Sequence, residues 1–427
     1  MTVSEPIRID TPLTSEPPSW LEIDLGRLEA NVRHLRNALD VDALGRPDPL
    51  RRPERERKAP LLCGVVKKNA YGLGIETISQ RLVAAGVDIL AVYGPDNADL
   101  IIRAAVNIPI LLLMPLRSLK RTDPLYRAAE TGRLHLTIHD LAQLEELNVV
   151  GQTYGLKLPV HLHLDTGMSR SGLDAEQFVT ALGKLPGLAH LRLRGVYSHL
   201  ATACSDHEYA YRQLEYFEKL ITDHADKLPD STVLHIANTC GTYRDRRFHM
   251  DMVRVGLGLY GYGPESITDG PVVAEAPILR GIVRWVSRLN HVQHFPAGAS
   301  VGYGCTATLK RDSILGVVPV GYGDGYPLSL SNKGVIAIPD EARGMAYHAP
   351  VLGRVNMDQI VVDLTEIAAI VEPQVGTLVE VISPNAASPC ALPRLAELGE
   401  SSCYEMLCRL GSRLPRRYLK SRQTGEE

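Results

Sequence analysis

Apolar residues along this chain gather in short runs that recur at steady spacing. They are LLCGVV (61–66), ILAVYG (89–94), IPILLLM (108–114), HLTIH (135–139), VHLHLD (160–165), LRGVYSHL (193–200), TVLHIAN (232–238) and VRVGLGLYG (253–261). Most gaps between them hold amphipathic patterns such as ETISQRLVAAG and YRQLEYFEKLITDHADKL, in which apolar residues return every three or four positions. Eight strands that mostly alternate with helices predict an α/β fold, a (β/α)8 TIM-like barrel of ordinary length. A doubly wound sheet is the structural competitor. It would be favoured by a GxGxxG turn after the first strand, and there is none.

From about residue 275 the helical period fades. Strand-like runs take over: ILRGIVRWVSRL, SILGVVPVGYG, GVIAI, QIVVDL and TLVEVI, punctuated by Gly and Pro. One helical segment, RLAELGESSCYEMLCRLG, comes near the end. The pattern divides the chain into a polar, proline-rich tail (1–18), a barrel (19–270) and a C-terminal mostly-β domain (271–427).

Composition narrows the function classes. The 427 residues are 45% hydrophobic, enough for a large core and a second domain, and the formal net charge is −3. That balance offers no electrostatic reason for nucleic acid as a partner. The densest basic stretch, RRPERERK (51–58), contains two Glu and reads as a solvated loop. Seven Cys lie scattered with no CxxC pair, which argues against a zinc ribbon and for a reducing compartment. Cys204 and Cys240 are expected to be packing residues. The first twenty residues lack the apolar core of a signal peptide, and no apolar run approaches the roughly 20 residues of a membrane span. A cytoplasmic protein with no membrane contact is expected.

Barrels of this kind concentrate chemistry where strands end. GVVKKNAYGLG (64–74) runs from an apolar strand into Lys67 and Lys68. A lysine at such an edge can be desolvated, and a neutral amine forms a Schiff base with an aldehyde. The bland reading is a lysine that snorkels to water. Four other strand ends add to the first. HLHLDTGMSRSG breaks into a Gly-rich loop bearing Arg170, whose guanidinium suits a carboxylate. YSHL puts His199 after the sixth run, and HIANTCGT puts Asn238 and Thr239 after the seventh. The eighth run holds Arg254 and then Gly256 and Gly258, small residues that let backbone N–H groups approach a phosphate.

Taken together, these stretches resemble the alanine racemase family. VVKKNAYGLG is similar to its cofactor-lysine motif. DTGMSRSG, VRVGLGLYGYGP, VGYG, VPVGYGDGYP, GRVNMDQIVVDLT and RLGSRLPRRY match further motifs in order, from about Trp20 to Tyr418. The resemblance implies a barrel plus β domain and pyridoxal 5′-phosphate carried covalently on Lys67. Tyr71, Thr239, the Gly256 and Leu257 backbone and Tyr418 would hold the phosphate, with Asn238 beside it. It implies two bases for Cα: Lys67 on the D side, and Tyr303 of VGYG, from the other subunit, on the L side. His199 would link that tyrosine to Arg254, which would face the pyridine nitrogen. Arg170 and, from the other subunit, Met357 and Asp358 would lie at the substrate, and Tyr322 would line its entry. A head-to-tail homodimer with shared sites and a small amino acid as substrate follow, with no metal ion. The product would be D-alanine for peptidoglycan.

The sequence departs from the family pattern at four places. Lys68 stands where Ala is frequent, and Leu73 where His is. Leu328 replaces a common arginine, and His163 occupies a position that often carries a carbamylated lysine beside the arginine matching Arg170. The flanking VV and NAYG assign the cofactor to Lys67 rather than Lys68. With His163 there, Arg170 is expected to find another negative partner, such as bound chloride, or else His163 fills the barrel interior. His163 and Leu328 keep a broad-specificity or serine-preferring racemase open as the alternative. A decarboxylase of the same architecture and a non-catalytic pyridoxal-phosphate-binding protein are lesser readings.

Overall fold

The computed structural model describes residues 17–40, 59–263, 267, 270, 278–340 and 342–420. The basic loop at 51–58 and most of the tail at 1–18 lie outside them. The chain forms two compact units, one of residues 27–279 and one of residues 1–26 with 280–427.

A strand at Ser19–Asp24 (β1) precedes the barrel. The eight strands of the barrel unit follow: Leu61–Val65 (β2), Ile89–Val92 (β3), Ile110–Leu112 (β4), Leu134–Ile138 (β5), Leu158–His163 (β6), Leu191–Tyr197 (β7), Val233–His235 (β8) and Met252–Val255 (β9). Each answers one apolar run of the sequence. They pair in parallel in the order β8-β7-β6-β5-β4-β3-β2-β9. The ring closes where Asp251 N–H donates to Leu234 C=O and Arg254 N–H to Ala237 C=O, each at 3.0 Å. Parallel strands are covered on both faces, which is why the runs are mostly apolar. β6 is buried along its whole length, His161 and His163 included.

The second unit holds a nine-stranded sheet. Its remaining strands are Val283–Arg288 (β10), His291–Phe295 (β11), Ser300–Val301 (β12), Ala307–Thr308 (β13), Ser313–Val318 (β14), Val335–Asp340 (β15), Met345–Leu352 (β16), Ile360–Asp363 (β17), Leu378–Ile382 (β18) and Arg416–Leu419 (β19). The order is β11-β14-β17-β16-β15-β18-β10-β1-β19, and β12 and β13 form a separate hairpin.

β1 corrects the expected boundary, which placed residues 19 onward in the barrel. It pairs antiparallel with β10 and parallel with β19 instead. Its alternation explains this: Leu21 and Ile23 are fully buried, while Glu22 accepts from Arg284 at 3.1 Å, and Arg284 donates in turn to Glu380 at 2.6 Å. The helix expected near the end is two helices, Leu392–Leu398 and Cys403–Arg409. Glu400 takes φ +52° between them, and Ser402 caps the second by accepting the Glu405 N–H. Among the described residues no helix is long and apolar enough to cross a membrane.

Candidate active site

The end of β2 carries the feature that the sequence did not disclose. After Lys67, four consecutive residues adopt positive φ: Lys68 at 54°, Asn69 at 55°, Ala70 at 51° and Tyr71 at 57°. This is a left-handed turn built of L-residues, each at a cost of about 1–2 kcal/mol. Gly72 N–H donates to Lys68 C=O at 2.9 Å, so the turn is closed by its own bond. Asn97 Oδ1 accepts the Asn69 N–H at 3.0 Å, and Asn69 Oδ1 accepts the Ile75 N–H at 2.8 Å. Strain held by this many bonds marks a position where geometry matters more than stability. The turn leaves Lys67 exposed and buries Tyr71.

Tyr71 packs edge-on against Tyr260, with ring centroids 5.1 Å apart, and reaches the start of the loop after β9. A β-carbon on Gly256 would sit 2.3 Å from the Tyr71 Oη, so only glycine admits that phenol. Beside it Thr239 Oγ1 accepts the N–H groups of Gly256 at 3.2 Å and Gly258 at 3.4 Å. Leu257 lies between those glycines, buried. Asn238 acts locally. Its Oδ1 accepts the Gly241 N–H at 2.9 Å and caps the helix Thr239–Arg244. Backbone amides, a hydroxyl and a phenol thus converge at the ends of β2, β8 and β9, the donor set that an anion such as phosphate calls for.

Arg254 lies in the barrel interior, 4% exposed. Its guanidinium donates to His235 Nδ1 at 2.8 Å, Ser198 C=O at 2.8 Å, His199 Nδ1 at 3.1 Å and Ile236 C=O at 3.4 Å, and it lies 5.0 Å over the Tyr197 ring. Because arginine can only donate, His199 Nδ1 must accept, and the proton of neutral His199 sits on Nε2. Burial and then Arg254, Arg170 and Lys67 hold His199 well below the usual histidine range. Those three cations therefore gather around one neutral imidazole.

His163 lies in the barrel interior. It is 5% exposed and stacks flat on Tyr197, with centroids 4.5 Å apart. His139 Nε2 donates to Leu113 C=O at 2.9 Å, so His139 Nδ1 accepts from His163 Nδ1–H at 3.2 Å. Burial, with His139, Arg254 and Arg170 nearby, pushes His163 down to about 3. It is a neutral residue of the barrel interior. Asp165 is committed elsewhere: its Oδ1 accepts the N–H groups of Gly167, Met168 and Ser169 and shapes the loop that carries exposed Arg170.

Cys204 and Cys240, expected as packing thiols, form a disulfide, which also counts against the reducing compartment expected from the scattered thiols. β7 and β8 are parallel neighbours, so the loop after β7 meets the helix that follows β8 at one end of the barrel, with the Cys204 and Cys240 Cα atoms 5.5 Å apart. The bond ties the loop after His199 to the residue that follows Thr239.

The second unit presents its own group of candidates. Tyr303 stands 71% exposed in the turn between β12 and β13, where Gly302, Gly304 and Cys305 all take positive φ. Tyr322 and Met357 are 47% and 55% exposed. Their loops are stitched together, Tyr322 N–H donating to Asn356 C=O at 3.0 Å and Gly323 N–H to Met357 C=O at 2.9 Å. Asp358 pairs with Arg413 at 2.7 Å, and Arg413 also donates to buried Asp324 at 3.0 Å. Tyr418 lies on β19, opposite Ile23 of β1.

The family model described as alanine racemase, N-terminal domain, matches residues 52–264, and the one described as alanine racemase, C-terminal domain, matches 282–418. The chain belongs to the alanine racemase family. It is an enzyme of that family. Alanine racemase of Symbiobacterium thermophilum is 33% identical over 403 residues, 94% of this chain and 97% of that one. The solved alanine racemase of D-cycloserine-producing Streptomyces lavendulae is 27% identical with a TM-score of 0.80, over 96% of this chain and 99% of its own. That of Bartonella henselae, described with covalently bound pyridoxal phosphate, is 26% identical with a TM-score of 0.75, over 95% and 100%. Within this alanine racemase fold, the barrel unit brings Lys67, Tyr71, Arg170, His199, Asn238, Thr239, Arg254, Gly256 and Leu257 to neighbouring strand ends. Sequence reasoning missed His235, Tyr197 and Asn97. The first two continue the alternation of TVLHIAN and LRGVYSHL, the signal that could have found them.

Proposed function

We propose that this enzyme interconverts L- and D-alanine, with pyridoxal 5′-phosphate held covalently by Lys67, and that it supplies D-alanine for peptidoglycan. The observation that carries the reading is the cradle of Tyr71, Gly256 and Thr239 beside Lys67. A phenol occupies the space a side chain at residue 256 would need. Thr239, the Gly256 and Leu257 backbone and Tyr71 would hold the phosphate, with Tyr418 adding a second phenol and Asn238 shaping the loop.

The cofactor, when bound, is an electron sink that makes the Cα–H of an attached amino acid acidic. The chain's own residues decide what happens next. Lys67 is the base on the D-side face. Tyr303 of the partner subunit is the base on the L-side face, in a homodimer with shared sites. His199 keeps its Nε2–H for that phenol, because Arg254 already occupies Nδ1. A hydrogen bond to a phenolate favours the charged form and improves a weak base. Arg254 cannot surrender a proton to the pyridine nitrogen, and so it limits charge delocalisation and side reactions. Arg170, with Met357 and Asp358 of the partner subunit, selects a small substrate, and Tyr322 lines its entry.

The test is chiral chromatography after incubation with single L-amino acids and added pyridoxal phosphate. Rapid formation of D-alanine, with D-serine and larger products far slower, is expected. Faster D-serine formation would move the assignment to a serine-preferring racemase, and no D-product would refute racemisation.

A further inference from the structure

Arg254 is a buried cation whose guanidinium donates to two imidazoles and two carbonyls, none of them a carboxylate. Among the described residues no Asp or Glu pairs with it. A buried guanidinium without an anion is expensive unless other dipoles surround it. What surrounds it is a row of histidines. Arg254 donates to His235 Nδ1 at 2.8 Å, His235 Nε2 lies 3.0 Å from His161 Nδ1, and His161 Nε2 lies 3.0 Å from His135 Nδ1.

One end of this row fixes all of it. Arginine has no lone pair to offer, so His235 Nδ1 is the acceptor and its proton sits on Nε2. That proton obliges His161 Nδ1 to accept and places the next proton on His161 Nε2. His135 Nδ1 then accepts in the same way. Each ring is neutral and turns its lone pair toward Arg254, its N–H away. Three imidazole dipoles thus align with their negative ends facing the guanidinium.

The backbone is shaped to seat the middle ring. The β6–β7 register shifts between Val160 and His161, so that Val160 faces Leu193 while His161 faces Gly195. A β-carbon at Gly195 would lie 2.3 Å from His161 Nδ1 and 2.7 Å from its Cε1. Tyr197 holds His235 from the side, stacked at 4.9 Å. His161 and His235 are fully interior, and His135 is half-buried near the start of β5. Burial holds all three below the usual histidine range, helped by Arg194 near His135 and by Arg254 at the other end.

A row of imidazoles can also pass protons, but this one ends on a guanidinium, which neither takes nor gives one. Its role is therefore electrostatic. We propose that His135 and His161, seated by Gly195, are positioning residues that extend His235 into a polarised neutral counter-ion for Arg254. The inference rests on the proposed place of Arg254 in the site, but its first readout does not.

Neutron diffraction from the cofactor-free protein, exchanged into deuterated buffer at neutral pH, reads the tautomers directly. Deuterons on Nε2 and bare Nδ1 atoms are expected at all three rings, and a deuteron on Nδ1 of His161 or His235 would overturn the proposal whatever the enzyme's activity. In the loaded enzyme, His161→Leu should lower kcat for alanine about tenfold, and His161→Gln, which can accept and donate, should stay within about threefold of wild type. Equal kcat in wild type and His161→Leu would also overturn it. If His161→Leu does not fold, Gly195→Ala, which displaces the ring, takes its place under the same criterion.

Discussion

The phenol oxygen of Tyr71 lies 2.3 Å from the point that a β-carbon on Gly256 would occupy. Two segments far apart in sequence therefore share one small volume. Gly256→Ala must displace the phenol or the loop after β9. Overpacking of this kind costs about 1–3 kcal/mol, which corresponds to roughly a 5- to 150-fold weaker cofactor site. Titration of the apoprotein with pyridoxal phosphate measures it. Gly183→Ala, where nothing lies within 4 Å of the added carbon, is the control that should leave affinity unchanged.

The Cys204–Cys240 bond closes a 36-residue separation. Reduction should lower the unfolding free energy by about 2–4 kcal/mol. Urea denaturation with and without dithiothreitol reads this, and the double Cys→Ser variant should ignore the reductant. Equal stability of the wild type under both conditions would show that the bond contributes nothing.

His163 sets a pH dependence. Its folded pKa is pushed down to about 3 from an ordinary 6.5. Between those values the unfolded chain binds a proton that the folded chain refuses. Its contribution to stability is therefore full above about pH 6.5 and declines as pH falls toward 3. The slope is about 1.4 kcal/mol per pH unit, or about 2 kcal/mol between pH 6.5 and pH 5. Chemical denaturation at those two pH values should show a loss smaller by about that amount in His163→Gln.

Adjacent lysines offer a sharp discrimination. Lys67 follows β2 by two residues, while Lys68 opens the left-handed turn. Borohydride reduction of the holoenzyme followed by peptide mapping should place the pyridoxyl group on Lys67 alone, and Lys67→Ala should carry none.

All eight barrel strands were legible in the sequence because each holds a short, mostly apolar run, broken only by single polar residues such as His161 in β6 and Arg254 in β9, and parallel strands covered on both sides leave that imprint. β1 was not, because SWLEID carries no mark of which sheet its alternating residues join; Trp285 and Arg284, more than 250 positions away, decide that. Lys67, Arg170 and Arg254 stood out as charges at the ends of apolar runs. The left-handed turn did not, since KNAY has no glycine and its conformation is imposed by Asn97 and by tertiary packing. The disulfide was hidden for a similar reason. Two cysteines 36 residues apart announce nothing until parallel neighbouring strands bring the segments after them together.

Lys67 and Tyr303 are assigned to opposite faces of one substrate but to different chains, and mixing two dead variants tests this directly. Lys67→Ala and Tyr303→Phe should each be inactive alone. Mixed as separately purified proteins under conditions that exchange subunits, random pairing makes half the dimers hybrid, each with one intact site of two, so about a quarter of wild-type alanine racemisation should return. Hybrid dimers that form, verified by mass spectrometry, yet restore no racemisation would contradict the shared site.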